Sequence, residues 1–120
     1  MNVKEAIMSA VAAHSMWKAR LRTAVRAGSS DFRVDTVRRD DQCEFGRWLG
    51  QISDPKITKS EDYKKCTELH RQFHLATAKV LALATSGQKA MAEKALGLES
   101  EFATTSARLT AAMMHWSRSS

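Results

Sequence analysis

The chain has 120 residues, 43% of them hydrophobic and 27% charged, with one Pro, five Gly and a formal charge of +6 from 19 basic against 13 acidic residues. That length carries one domain with a single core, expected over residues 1–120 with its packed part at about 5–116, and it is short for two. No run of about 18 apolar residues occurs, and Met1-Asn2-Val3-Lys4-Glu5-Ala6 places charges where a secretory leader needs an apolar run, so neither is expected and the compartment expected is the cytoplasm.

Scarce Pro and Gly point to helices, and three long segments carry apolar residues at alternating steps of three and four. The first runs through Val3, Ile7, Ala10, His14, Trp17, Leu21 and Ala24, and Gly28-Ser29-Ser30 stops it. Residues 29–42 are polar and charged, which predicts an irregular connection. Helical spacing returns in Phe45, Trp48, Leu49 and Ile52 before Asp54-Pro55, predicting a short helix of about two turns. Thr58-Lys59-Ser60-Glu61 reads as a capping box ahead of Tyr63, Cys66, His70, Phe73, Thr77, Val80 and Ala84, with Gly87 as the stop. The third long stripe is Met91, Ala95, Leu98, Phe102, Thr105, Leu109, Ala112 and Trp116. Its short link to the second predicts an antiparallel pair. The fold expected is all-α: an antiparallel four-helix bundle of three long helices and one short one. Residues 117–120 are polar and are expected to fray.

The positive charge raises the question of nucleic acid. The densest basic group, Lys18, Arg20, Arg22 and Arg26, lacks the interleaved aromatics that stack bases, and it reads as a solvated face. Neither nucleic acid nor a membrane is an expected partner.

His70 and His74 are four apart, which sets two imidazoles on one helical face, one turn apart, at metal-ligand spacing. His14 lies on the core stripe of the first helix, and Cys43 opens the segment Cys43-Glu44-Phe45-Gly46-Arg47-Trp48-Leu49. Any one of these histidines is readily a satisfied structural residue. Two on core stripes, with a third one turn away, need partners for their ring nitrogens, and a shared metal satisfies all three. Three histidines and Cys43 would fill the tetrahedron of one Zn²⁺ and leave no position for an activated water, which argues against an enzyme. A di-iron bundle needs inward glutamates and Glu-x-x-His motifs, which the stripes lack.

The order His14 with Trp17, then Cys43-Glu44-Phe45-Gly46-Arg47-Trp48-Leu49, then His70 and His74 resembles the chemoreceptor zinc-binding (CZB) domain family. The resemblance implies a four-helix bundle, one zinc held by His14, Cys43, His70 and His74, frequent homodimerisation and a cytoplasmic regulatory role. Such domains are commonly joined to bacterial chemoreceptors or diguanylate cyclases, where they answer zinc or oxidants such as hypochlorous acid. The 120 residues hold no output domain, so either the chain signals to a partner in trans or the sequence is a piece of something larger, and Met1 with the polar end favours the first as the expectation. The alternative is a purely structural zinc-stabilised dimerisation or docking module.

Trp17, Phe45, Trp48 and Leu49 are expected to support the site by packing that fixes where Cys43 points, and Gly46 to let its segment approach a long helix closely. Cys43, the redox-active ligand, is the expected sensing residue, on the least stable helix. Cys66 reads as a small buried apolar residue, with a reserve ligand or resolving thiol as its other reading. His115 is expected to face solvent, and Met113, Met114 and Trp116 to contact a second copy.

Overall fold

The computed structural model describes residues 2–120 and is all-helical, with no strand among them. Eight helices follow in order: α1 (Val3–Ser15), α2 (Trp17–Ala27), α3 (Val34–Arg38), α4 (Glu44–Gln51), α5 (Pro55–Thr58), α6 (Glu61–Thr85), α7 (Lys89–Ala95) and α8 (Glu101–Ser119). The three long stripes are therefore present, but two of them are broken.

The first break falls at Met16. The Ser15 hydroxyl donates to the Ala12 carbonyl at 2.7 Å, and the Met16 N–H bonds Ala13 O instead, so the ladder tightens for one step. The stripe keeps its phase across this step, since Ile7, Ala10, Trp17, Leu21 and Ala24 are all buried. The third stripe breaks between Ala95 and Glu101, around Gly97, and restarts at Ser100, whose hydroxyl accepts from Ala103 N at 3.2 Å. Here the phase slips: Met91 and Leu98, expected in the core, are exposed, and Leu98 is 88% accessible. From Phe102 to Trp116 the stripe is buried as the spacing predicts.

α6 is the central helix and packs against α2, α3, α5, α7 and α8. Its cap is Ser60, which accepts from Tyr63 N at 3.2 Å, rather than a box opened by Thr58. Tyr63 lies against Trp116, Phe73 against Phe102, and Lys79 pairs with Glu101, so α6 and α8 run antiparallel. Buried Ile7, Leu21, Phe73, Leu81, Leu109 and Met113 fill the space between these helices.

The expected irregular connection over 29–42 contains α3. Val37 supplies the reason: it is buried against the core, and α3 packs on α6. Met113 and Trp116 are also buried within the chain, which removes them as contacts to a second copy, and Met114 is half-buried. His115 is exposed, as expected, but its Nδ1 bonds the Asp62 carboxylate at 2.8 Å. No described helix is long and apolar enough to cross a membrane.

Candidate metal centre

Three elements deliver four donors to one point. His14 comes from the last turn of α1, His70 and His74 from consecutive turns of α6, and Cys43 is the N-cap of α4, one residue before the helix that was expected to carry it. One ligand atom from each of the four lies within 4.8 Å of every other. His70 sits in the middle, its Nε2 at 3.2 Å from His14 Nε2, 3.0 Å from His74 Nε2 and 3.2 Å from Cys43 Sγ. Cys43 Sγ and His14 Nε2 are 3.9 Å apart. A zinc tetrahedron with ordinary bond lengths has edges of about 3.3 Å between nitrogens and about 3.6 Å between nitrogen and sulfur, so the spacing fits an ion at the centre.

Proton bookkeeping supports the same fit. His14 Nδ1 bonds Ala10 O at 2.8 Å, and His74 Nδ1 bonds Val37 O at 2.8 Å. A carbonyl only accepts, so both Nδ1 atoms carry the hydrogen, and each neutral ring then turns an Nε2 lone pair inward. Both lone pairs face His70 Nε2, which has at most one proton to offer. At least one nitrogen pair is left without a shared proton, and a cation resolves that conflict.

Electrostatics keep the rings neutral. Burial, then the nearby His74, push His14 down from 6.5 to about 4, and burial with His74 and His14 pushes His70 down to about 2. Burial also lowers His74, against the opposing effects of its bond to Val37 O and of Asp40. Burial raises the Cys43 thiol, while the backbone N–H groups of Gly46 and Phe45 pull it the other way. The Gly46 N–H donates to Sγ at 3.3 Å.

The supporting residues act much as their positions suggest. Phe45 and Leu49 are buried, and the Phe45 ring stands edge-on to His70 at 5.1 Å and to His14 at 6.0 Å. Trp48 stacks on Phe45 at 5.7 Å and leans on Trp116. Trp17 is buried at the start of α2. Gly46 does permit a close approach, but to the backbone of Asp40 and Asp41 in the connection rather than to a long helix. Cys66 is fully buried outside the four-donor cluster, with its thiol raised by burial to about 12, and so is poorly placed to react. Sequence reasoning missed the carbonyls of Ala10 and Val37. Backbone acceptors carry no side-chain signal, although Val34 and Val37, three apart in a polar stretch, mark the turn that presents one of them.

Four protein donors of this kind hold a metal without a free position for solvent. The model of the chemoreceptor zinc-binding domain matches residues 14–81, from His14 past His74 and over more than half of the 120 residues. No curated protein and no solved structure matches the chain. The matched span includes all four donors together with the cysteine segment between them, and the chain belongs to the chemoreceptor zinc-binding domain family.

Proposed function

We propose that this chain is a cytoplasmic, non-catalytic regulatory domain that holds one Zn²⁺ through His14, Cys43, His70 and His74 and reports on zinc availability and on oxidants such as hypochlorous acid. Family membership supports zinc, and a set of three nitrogens and one sulfur suits that ion. The bound ion keeps Cys43 as a thiolate and ties the start of α4 to α1 and α6.

The observation that carries the sensing part is the asymmetry of exposure. His70 and His74 are 1% and 4% accessible, whereas Cys43 and His14 are only partly buried, and Cys43 lines an open cleft with His14 and the edge of His74. The one redox-active ligand is therefore also a reachable one. Attack of the Cys43 sulfur on the chlorine of hypochlorous acid forms an S–Cl bond and releases hydroxide. Hydrolysis then gives the sulfenic acid, chloride and a proton. A sulfenic acid is a poorer ligand than a thiolate, so the start of α4 is freed.

We propose further that the domain works as a homodimer and passes its state to a signalling protein, such as a bacterial chemoreceptor or a diguanylate cyclase, in trans. X-ray absorption on the purified protein, with metal analysis, tests the centre: the expected result is close to one zinc per chain with one sulfur in its shell. A chain that takes up no zinc overturns the reading. Zinc binding with complete loss of fold on chelation leaves the structural module instead.

A further inference from the structure

We propose that the cleft bounded by α1, α2, α3 and α4, beside the four-donor centre, binds a small amphipathic carboxylate, its apolar body against Trp17, Phe32 and Trp48 and its charge on Arg20 and Arg47. The cleft encloses about 520 Å³, the size of an ordinary small-molecule site. Its walls include Trp17, Phe32, Phe45 and Trp48, and Phe32 leaves 42% of its surface exposed even with Trp17 and Arg20 packed against it. Exposed aromatic surface around a concave space costs solvation free energy that an apolar ligand would recover.

Charge selects the ligand class. The Arg20 guanidinium lies 5.0 Å from the Trp17 ring centre and 4.9 Å from that of Phe32, which holds it at the wall of the cleft. Arg20 and Arg47 make no ion pair among the described residues, whereas Arg39, also in the wall, is spent on Asp41. Glu44 lines the same space. Two free guanidiniums against one carboxylate leave a single positive charge, which suits a monoanion and disfavours a polyanion. The fork of an arginine matches a planar carboxylate in particular.

Because His14, Cys43 and His74 also line the cleft, an occupant would cover the reachable side of the centre and slow removal of its ion by a chelator. This last point rests on the zinc reading; binding itself does not. The test is an NMR titration of the full chain with indole-3-acetate, with octanoate and with uncharged indole-3-acetamide, followed by chelator competition. We expect saturable shifts confined to the cleft for at least one acid, with affinity about 10-fold above the amide. Arg20→Gln or Arg47→Gln should lose that preference while keeping the helical circular-dichroism spectrum. Equal affinity for acid and amide overturns the proposal, as do shifts scattered over the basic surface. So does failure to saturate by about 10 mM, weaker than useful recognition, including the case in which a second copy of the chain covers the cleft. A chain that binds the acid but no zinc would sink the zinc reading and leave the cleft standing.

Discussion

A Cβ on residue 46 would overlap the carbonyl oxygen of Asp40 and stand 2.8 Å from its carbonyl carbon, so Gly46 and Asp40 touch backbone to backbone. That contact lets the chain turn back before α4 and present the Cys43 sulfur to His70. Gly46→Ala should force the turn apart, lowering stability by about 1–3 kcal/mol and speeding zinc loss to a chelator. Gly50→Ala, four residues on in the same helix and facing open space, should be neutral or stabilising by up to about 1 kcal/mol. Thermal melts and chelator kinetics on the pair check this; equal behaviour of the two variants would remove the contact from the account.

Much of this was legible in the chain because its information is periodic. The stripes through Ile7 and Leu21, through Cys66 and Phe73, and through Phe102 and Leu109 all face the core; they carry His14 and His70 inward, and His74 follows one turn beyond His70. What was not legible is local and aperiodic. The break at Met16 depends on a Ser15 hydroxyl choosing the Ala12 carbonyl, and α3 depends on Val37 finding the core from within a polar stretch. Met91 and Leu98 fit one continuous helical template, but the helix is cut near Gly97: the separate short helix α7 buries Ala92 in place of Met91, and Leu98 falls in the break and turns to solvent. The orientation of the imidazoles depends on the carbonyls of Ala10 and Val37, which any residue would supply.

The four ligands should not be equivalent. His70 is 1% accessible and touches the other three donor atoms. His70→Ala should remove measurable zinc retention and also open a cavity, costing about 2–4 kcal/mol in the metal-free chain. Cys43→Ser should weaken zinc retention yet leave the helical content and the metal-free melting temperature nearly unchanged, because Cys43 is partly exposed and caps a helix that serine caps well. Metal analysis with circular dichroism separates the two. Collapse of the Cys43→Ser fold would show that α4 depends on the sulfur more than its packing suggests.

The two thiols should divide sharply. Hypochlorous acid should release zinc in proportion to oxidation at Cys43, and Cys66→Ala should release it at the same rate, since Cys66 is fully buried and apart from the cluster. The substitution itself should cost about 1 kcal/mol of stability for the lost packing. A chromogenic chelator beside mass spectrometry of each cysteine reads both. Zinc that stays bound while Cys43 is oxidised, or release governed by Cys66, would leave a zinc-dependent scaffold with no redox response.

Acid should weaken the metal-free chain through its buried imidazoles. Folding lowers His14 from 6.5 to about 4 and His70 to about 2, so the folded state refuses protons that the unfolded chain accepts. The stability these neutral rings allow is full above pH 6.5. It falls as pH drops below that value, with a slope of up to about 1.4 kcal/mol per pH unit for each ring. His14 should stop contributing to the slope near pH 4, while His70 goes on contributing toward pH 2. Zinc loading should raise the whole curve at neutral pH and steepen its fall, since protons and metal compete for the same nitrogens. Urea midpoints of the metal-free protein between about pH 7.5 and 5 provide the measurement, within the range where histidine titrates in the unfolded chain. His14→Gln should flatten the curve, and a wild-type midpoint that is level across this window would mean that the rings already have access to water and that the centre is looser than its 3.0 to 3.2 Å nitrogen contacts imply.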